Sequence, residues 1–407
     1  PLPKLRAHLV PAMIAEREWG SLEAEVSRDV AAALDRALAR PEPDAARVRT
    51  HIYGAGEPAR AGGLAAEGHV FPAPREVPAP ESGRRLNMEE AIRLTLAHEL
   101  RTNPKALVFG EDVGAKGGVH GITKGLMGEF GDRRVFDTSL SEEGIVGRAV
   151  GMALAGLMPI AEIQFRKYAD PATEQLNNCG TMRWRTANRF AAPIVVRMPG
   201  GFGRIVGDPW HSVCGEVTWA HAVGWQVAIP SNAEDAVGLL RAAMRSDNPT
   251  IFFEHRYLVD APWARRPYPG DDYVLPLGRA RIVEPGTELT VVSWGAMVER
   301  CEAAARDAGA SVELLDLRTV APWDRQAVLD SVRKTGRCLI VHEDTLTAGF
   351  GAEIAAVVAQ EAFFWLDAPV ERIAIPDVPT PYNPALMAAV VPTAAEIAAR
   401  IRALLAI

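Results

Sequence analysis

The chain has 407 residues, of which 48% are hydrophobic and 23% charged, with 44 Lys and Arg against 51 Asp and Glu and a net charge of −7 at pH 7. This composition is typical of a soluble globular protein, and the length suits two or three domains of ~100–200 residues each. A net negative chain without a block of Lys or Arg has no electrostatic footprint for nucleic acid, so we exclude nucleic-acid binding.

Membrane and secretory signals are also missing from the sequence. The longest nearly uncharged apolar stretch, 149–161, is shorter than the ~20 residues of a membrane-spanning helix. The N-terminal residues lack the pattern of a secretory signal. Scattered cysteines without CxxC spacing argue against a metal site or a disulfide framework and predict a reducing, cytoplasmic location. The four are Cys179, Cys214, Cys301 and Cys338.

Residues 1–40 predict a helical arm. Apolar residues recur every four positions behind Ser21, which we take as the N-cap. They are Leu22, Val26, Val30, Leu34 and Leu38. A helix with one apolar stripe needs a partner surface. The following segment, 41–85, is rich in Gly, Pro and Ala without a hydrophobic period, and we predict that it is a linker.

Regular structure resumes at Asn87, which forms a predicted capping box with Glu90 at the start of a helix over 88–101. Short apolar runs then alternate with helical stretches. The predicted strands cover 106–110, 134–136, 159–165, 193–197, 226–229 and 250–253, and a second block has strands over 289–294, 311–317, 337–342 and 371–375. The predicted helices of that block cover 298–307, 324–334, 352–360 and 394–405.

Alternation of this kind indicates an α/β fold with parallel sheets covered by helices on both faces. The Pro-rich segment 262–276 is a natural boundary between the two blocks. We therefore predict one α/β domain over 86–265 and another over 266–407, behind the arm and the linker.

Polar residues at the ends of the first three predicted strands are candidates for a site, because ligands of open α/β sheets bind beyond the carboxyl ends of strands. Glu111 follows the first strand, Glu142 lies soon after the second, and the third carries Glu162 and Gln164 before Tyr168. Carboxylates at neighbouring strand ends suit proton transfer to a bound ring. Acids at such places also simply begin the next helix, and the pattern alone favours that simpler explanation.

Four motifs around these strand ends are specific and collinear. They are Phe-Gly-Glu-Asp-Val-Gly at 109–114, Gly-Asp-Arg-Arg-Val-Phe-Asp at 131–137, Leu-Ser-Glu-Glu-Gly-Ile-Val-Gly at 140–147 and Ala-Glu-Ile-Gln-Phe at 161–165. Together with 182–185, 193–197, 211–212 and 314–319, they resemble the β subunit of the thiamine-diphosphate-dependent, decarboxylating first component of 2-oxo acid dehydrogenase complexes. The resemblance covers 86–407.

The resemblance implies a transketolase-type pyrimidine-binding domain followed by a C-terminal domain. It places Glu142 against a ring nitrogen of the cofactor's aminopyrimidine, where a carboxyl group can move a proton. It puts Leu140 beneath the pyrimidine and stacks Tyr168 on it, although an ordinary core tyrosine would fit the pattern too. Glu111 falls in a buried acidic network near the cofactor, and Gln164 near the thiazolium ring and the substrate.

His211 matches a histidine that the family uses to handle the acyl group and pass it to a lipoyl group. Its unperturbed pKa of ~6.5 suits such a transfer, whereas a lone loop histidine is more often a solvated polar residue. The neighbouring stretches 200–203 and 207–210 depart from the Gly-rich pattern that usually precedes this histidine. That departure leaves the loop shape and the substrate choice open.

The magnesium ion that holds the diphosphate is bound, in this superfamily, by a Gly-Asp-Gly motif followed by Asn-Asn. The chain contains no Gly-Asp-Gly, and Asn177 and Asn178 fall in a predicted helix. We therefore predict no metal ligands in this chain and expect an α part to bring the magnesium and the diphosphate half of the site. Segments 1–9, 22–26 and 41–44 resemble the end of an α subunit, which implies an α–β fusion, while an acquired oligomerisation helix is the alternative.

The resemblance implies that the chain, active only with an α part in an α2β2 assembly, decarboxylates a 2-oxo acid on thiamine diphosphate. The acyl group would then pass to a lipoyl domain of a dihydrolipoyl acyltransferase. The alternatives are a thiamine-diphosphate-dependent carboligase of acetoin type and a non-catalytic supporting subunit. Pyruvate, branched-chain acids and acetoin all remain open as substrates, with similarity around 162–168 favouring branched-chain acids.

Overall fold

The structure is a computed structural model that describes residues 1–54, 75–77, 83–205 and 207–407. It consists of two compact units, Pro1–Thr50 and His51–Ile407. Most of the predicted linker, 41–85, lies outside the described residues. Its described part contains a 3₁₀ turn at Ala45–Arg49, which begins where the Asp44 side chain accepts the N–H of Ala46.

The arm consists of two helices, α1 (Leu2–Leu9) and α2 (Glu16–Leu38). The predicted N-cap at Ser21 is wrong, because the N-cap of α2 lies six residues earlier, at Ala15. Glu16 and Glu18 favour that earlier start through the helix dipole. Within the helix, the Ser21 hydroxyl donates to the carbonyl of Arg17, the usual bond of a mid-helix serine to the residue four positions back.

The second unit contains the strands. In chain order they are β1 (Arg85–Leu86), β2 (Ala106–Gly110), β3 (Val135–Asp137), β4 (Met158–Glu162), β5 (Val195–Gly200), β6 (Gln226–Ala228), β7 (Thr250–His255), β8 (Arg266–Pro267), β9 (Arg281–Glu284), β10 (Leu289–Ser293), β11 (Val312–Asp316), β12 (Thr319–Ala321), β13 (Cys338–Thr345) and β14 (Glu371–Ile375).

The same unit also contains the remaining helices. They are α3 (Met88–Thr102), α4 (Leu126–Phe130), α5 (Glu142–Leu154), α6 (Thr173–Arg185), α7 (Val217–Ala220), α8 (Ala233–Met244), α9 (Met297–Ala308), α10 (Arg325–Thr335), α11 (Gly351–Glu361), α12 (Pro384–Val390) and α13 (Ala394–Leu405). The Asn87 half of the predicted capping box is confirmed, since the Asn87 side chain accepts the N–H of Glu90 at 2.9 Å and α3 begins directly after it. The Glu90 carboxylate accepts a hydrogen bond from Arg84.

Two mostly parallel sheets organise the second unit, which confirms the predicted α/β class. The larger has seven strands in the order β12-β6-β7-β5-β4-β2-β3, and the smaller has five in the order β14-β13-β10-β11-β9. The two edge strands β12 and β9 pair antiparallel and were not predicted. They are short and lie at sheet edges, so the hydrophobic pattern contained no sign of them.

Alternate residues of the central strands enter two different hydrophobic cores. Val108 and Ile160 pack into a core with residues of α3, α8, α9 and α13. Phe109 and Ala161 pack into a second core with residues of α5, α6, α10 and α11. Because successive strand side chains point to opposite faces, strands that are apolar throughout must be covered on both faces.

One stretch, Pro384–Leu405, has the length and apolar composition of a membrane-spanning helix. It is divided into α12 and α13 by residues 391–393. Helix α13 buries Ile397, Ile401 and Leu404 in the first core, where α9 contributes Cys301 and Ala304. The stretch is therefore two helices, the second of which packs in a protein core.

A buried hydrogen bond joins the ends of the two sheets. His255, the last residue of β7, lies 2.5 Å through Nε2 from Oε2 of Glu343 in β13. The Nδ1 atom of His255 accepts the N–H of Tyr257 at 3.2 Å, so Nε2 carries the proton and donates to Glu343. The other Glu343 oxygen, Oε1, accepts the N–H of Phe202. These bonds fix the end of β7 and the loop after β5.

Candidate active site

Three adjacent parallel strands, β3, β2 and β4, end together at one edge of the larger sheet. Gly110, the last residue of β2, is in register with Asp137 of β3 and Glu162 of β4. A Cβ atom on Gly110 would lie 2.3 Å from the carbonyl oxygen of Glu162, so only glycine allows this approach. The strand ends therefore bring the predicted acidic residues to one edge.

Glu111 and Glu142 form a pair of interacting carboxyl groups at this edge. Glu111 directly follows β2 and is 4% exposed, and Glu142 is the first residue of α5. Burial raises the pKa of Glu111 to about 6, and the negative charges of Glu142 and Asp112 act in the same direction. A hydrogen bond from the Ser141 N–H opposes them and lowers the pKa. Glu111 Oε1 is buried and has no hydrogen-bond partner within the described part of the chain.

Leu140 lies two residues before Glu142 and is 81% exposed. An apolar side chain this exposed beside the buried Glu111 and the half-buried Glu142 is available to contact a ligand. Its predicted place beneath a pyrimidine stays a prediction.

Gln164 lies beyond β4, because that strand ends at Glu162 and not at residue 165 as predicted. Its side-chain amide donates to Oδ2 of Asp112 at 3.0 Å, and the same oxygen accepts the Lys116 ammonium. Asp112 neighbours Glu111, so this bond connects the stretch after β4 with the acidic pair.

The side chains of Tyr168 and His211 contact each other directly. The Tyr168 hydroxyl lies 2.9 Å from Nε2 of His211, and Nδ1 of the same ring lies 2.9 Å from Oδ1 of Asp208. Burial raises the pKa of Asp208, but hydrogen bonds from the N–H groups of His211 and Trp210 and from the His211 ring outweigh it and hold that pKa below its usual value.

The aromatic ring of Phe165 packs against the rings of His211 and Tyr168. Its ring centroid lies 4.3 Å from that of His211 and 5.6 Å from that of Tyr168, both edge-on. The guanidinium of Arg256 lies 5.6 Å from the Phe165 centroid and donates to the carbonyl of His211 at 2.9 Å. Burial, followed by the charge of Arg256, lowers the pKa of the neighbouring His120 to about 4, so that ring is neutral at pH 7.

The structure therefore brings the predicted residues into two groups, Glu111 with Glu142 and Tyr168 with His211. The bond from Gln164 to Asp112 links the two groups along the sheet edge. Sequence reasoning did not assign Phe165, Asp208 or Arg256. Arg256 directly follows a strand, β7, and Asp208 lies three residues before His211, so both positions carried a usable signal.

A second acidic group at the same edge shares a buried guanidinium. Glu162 Oε2 accepts a hydrogen bond from Nη1 of Arg197 at 3.0 Å, and Glu254 Oε1 accepts one from Nε of the same guanidinium at 2.7 Å. All three residues are at most 2% exposed. This arrangement is a buried ionic bridge between β4, β5 and β7.

Within the described residues, no group of three His, Cys, Asp or Glu side chains could hold a metal ion. Asn177 and Asn178 lie inside α6, as predicted. The described part of the chain thus has residues suited to a flat nitrogenous ring and no cluster of metal-binding side chains.

Two family models match the second unit. The pyrimidine binding domain of transketolase matches residues 84–261, and the transketolase C-terminal domain matches residues 278–397. The predicted boundary at 265/266 falls between the two matched ranges. A solved split-gene transketolase, an inactive β4 tetramer, superposes with a TM-score of 0.64 at 20% identity, covering 79% of this chain and 98% of the other, so the two share a fold.

Curated relatives are much closer in sequence. The β subunit of Pseudomonas aeruginosa 2-oxoisovalerate dehydrogenase is 41% identical over 312 residues, which cover 73% of this chain and 89% of the relative. The chain belongs to the family of 2-oxo acid dehydrogenase β subunits. An Arabidopsis thaliana 2-oxoisovalerate dehydrogenase β subunit is 44% identical over 74% of this chain and 84% of its own length.

A pyruvate dehydrogenase β subunit of Rhizobium meliloti is also similar to this member of the family, with 39% identity over 82% of this chain and 72% of the relative. The resemblance inferred from the sequence motifs is therefore confirmed. The names of these relatives refer to two different 2-oxo acids. Family membership alone therefore does not identify the acid on which each protein acts.

Proposed function

We propose that this chain is the β part of a 2-oxo acid dehydrogenase first component, which decarboxylates a short 2-oxo acid with thiamine diphosphate and passes the acyl group to a lipoyl group. The observation that carries the proposal is the pair Glu111 and Glu142 at the strand ends, with a buried Glu111 oxygen that lacks a partner among the described residues. Its family membership supports the same activity.

The residues at the sheet edge fit the pyrimidine half of thiamine diphosphate. Glu142 would bind a ring nitrogen, and Leu140 and Tyr168 would contact the two faces of the ring. When bound, thiamine diphosphate supplies the carbon nucleophile and the electron sink that decarboxylation needs. Gln164, held by Asp112, would face the substrate side.

The acidic pair can hold a proton where the ring needs one. With a pKa of about 6, Glu111 is present in both protonation states near neutral pH. Glu111 can therefore accept or release a proton beside Glu142. His211, in contact with Tyr168, would exchange a proton with the acyl acceptor.

The partners follow from what the described residues do not supply. An α polypeptide would contribute the magnesium ligands and the diphosphate half, in an assembly with a second αβ unit. A dihydrolipoyl acyltransferase would accept the acyl group. The four free cysteines are all buried, which supports a reducing, cytoplasmic location.

The test is 2-oxo-acid-dependent reduction of an artificial electron acceptor by the complete assembly with its α partner, magnesium and thiamine diphosphate. The acids compared would be pyruvate and 2-oxoisovalerate, with Glu142→Gln as the inactive control. We expect cofactor-dependent turnover of at least one acid that collapses in the variant. Acyloin formation without acceptor reduction would instead identify a carboligase, and an unchanged rate in Glu142→Gln would identify a supporting subunit.

A further inference from the structure

One carboxylate oxygen organises the loop that carries His211. Oδ1 of Asp208 accepts the backbone N–H groups of Trp210 and His211, both at 2.8 Å, and Nδ1 of the His211 ring at 2.9 Å. Ser212 closes the turn, because its hydroxyl accepts the Asp208 N–H at 3.1 Å and its own N–H donates to the Asp208 carbonyl. The side chain of Asp208 is 12% exposed.

These bonds determine which ring nitrogen of His211 carries the proton. A carboxylate can only accept, so Nδ1 must be the protonated nitrogen that donates to Asp208. In the neutral ring Nε2 is then an acceptor, and the Tyr168 hydroxyl at 2.9 Å is positioned to donate to it. The two hydrogen bonds therefore run in one direction, from the Tyr168 hydroxyl to Nε2 of His211 and from Nδ1 of His211 to Asp208. Nε2 faces the candidate active site.

We propose that Asp208 is a positioning residue of this active site, which fixes the Nδ1–H tautomer of His211 and stabilises its protonated form, so that Nε2 is the nitrogen that exchanges protons. The proposal rests on the proposed function. An acid that orients a catalytic imidazole in this way acts through the histidine and does not touch the substrate.

The other charged groups near the His211 ring do not replace the Asp208 carboxylate. Arg256 donates through Nη1 to the carbonyl of His211 and to the hydroxyl of Ser212, so a positive charge lies beside the loop. Glu343 attracts Arg256 but is already hydrogen-bonded to His255. Burial, then Arg256, lowers the pKa of His120 to about 4, so that ring contributes no charge at pH 7, and Asp260 acts on it from farther out. Asp208 is the carboxylate that contacts the His211 ring directly.

A purely structural role, in which Asp208 only ties the turn, makes different predictions. In Asp208→Asn the side-chain carbonyl still accepts the same N–H groups, so the turn is preserved and the charge is lost. In Asp208→Ala the acceptor is lost as well. The first variant isolates the electrostatic effect, and the second also removes the acceptor that fixes the tautomer.

The first measurement is the pH profile of kcat/KM for the complete assembly with its α partner, using the best acid of the assay above. Removing the negative charge leaves the Nδ1–H of His211 without a charged acceptor, so the pH profile of Asp208→Asn differs from that of the wild type. We expect kcat/KM at neutral pH to fall about 10-fold or more. Asp330→Asn, which removes an exposed carboxylate from α10, is the matched control and leaves the profile unchanged.

The second measurement does not depend on activity, so it separates failure of this inference from failure of the proposed function. The full chain is labelled with ¹⁵N-histidine, and the His211 signals are assigned by their loss in His211→Gln. We expect the neutral His211 ring to carry its proton on Nδ1 in the wild type and to populate the Nε2–H form in Asp208→Ala. The proposal is overturned if the Asp208→Asn profile superimposes on the wild-type profile, or if Asp208→Ala leaves the tautomer unchanged.

Discussion

Two groups of buried carboxyl side chains lie at the same edge of the larger sheet, and they differ in what surrounds them. Glu162 and Glu254 share the guanidinium of Arg197 and form an ionic bridge between three strands. Glu111 is almost as deeply buried, but its neighbours Glu142 and Asp112 are also acids. An acid at a strand end is therefore a candidate for proton transfer when its surroundings leave its charge uncompensated, and a structural element when a cation offsets it.

The pKa values of both groups are raised by burial, but the neighbouring charges act in opposite directions. Burial raises the pKa of Glu162 and raises that of Glu254 to about 7, while the Arg197 guanidinium opposes the rise with its charge and its hydrogen bonds. For Glu111 burial and both neighbouring charges act in the same direction and raise its pKa to about 6. The bridge thus has a cation that offsets the cost of burying its carboxylates, whereas Glu111 has acidic neighbours instead.

The largest effect on stability is expected in the bridge. Arg197→Met leaves two carboxylates buried without their cation, which costs about 3–5 kcal/mol in the free energy of unfolding. Urea denaturation of the full chain measures this cost. The matched control is Arg204→Met, which removes an exposed partner of Asp260 and costs at most about 1 kcal/mol. Equal costs for the two variants would show that the bridge is replaceable by apolar packing.

The largest effect on activity is expected in the acidic pair. Glu142→Gln removes the carboxyl group next to Glu111 and lowers kcat by on the order of 10²-fold or more, because a glutamine amide cannot move a proton. Glu143→Gln is the matched control, since Glu143 is the next residue of α5, exposed, and bound by the Ser141 hydroxyl. If both variants lose activity equally, the loss is caused by a disturbed start of α5 and not by the missing Glu142 carboxyl group.

Much of this division could be predicted from the sequence, because strand ends and short motifs identify positions. The motifs placed Glu111, Glu142, Tyr168 and His211, and strand alternation placed the two cores. What surrounds each residue could not be predicted in this way. Glu162 has the same pattern as Glu111 in the sequence, and only the register of β4 with β5 reveals Arg197 beside it.

Errors in the predicted elements have similar causes. Ser21 was placed at a helix start because serine favours N-caps, but the helix already extends back to Glu16 and the serine hydroxyl bonds within it. The edge strand β12 (Thr319–Ala321) follows directly on β11 in the sequence but pairs with β6 of the other sheet. Such long-range pairings leave no local hydrophobic period.

A smaller and pH-dependent effect is expected for Glu111→Gln. The raised pKa means that the folded state binds a proton that the unfolded state releases, so wild-type stability falls as the pH rises from about 4.5 to 6. A shift of this size corresponds to about 2 kcal/mol. The neutral glutamine removes that penalty while keeping an acceptor for the Ser141 N–H.

We therefore expect Glu111→Gln to be more stable than the wild type at pH 8 by up to about 2 kcal/mol and equally stable at pH 4, while activity falls. Urea denaturation at both pH values measures the difference. Glu129→Gln, an exposed carboxyl bound to Arg101, is the control and shows no such pH dependence. A stability difference that is the same at pH 4 and pH 8 would mean that the gain comes from packing and not from charge.

The smallest effect is expected in the arm, where the side chains of the apolar stripe on α2 are 44% to 75% exposed. Val30 and Leu34 are 63% and 57% exposed, so replacing both by serine should change the free energy of unfolding of the chain by no more than about 0.5 kcal/mol. Denaturation at two protein concentrations measures this change and also detects self-association. A loss of several kcal/mol that shrinks on dilution would show that the stripe is covered by a second copy of the chain, because only an intermolecular contact makes stability depend on concentration.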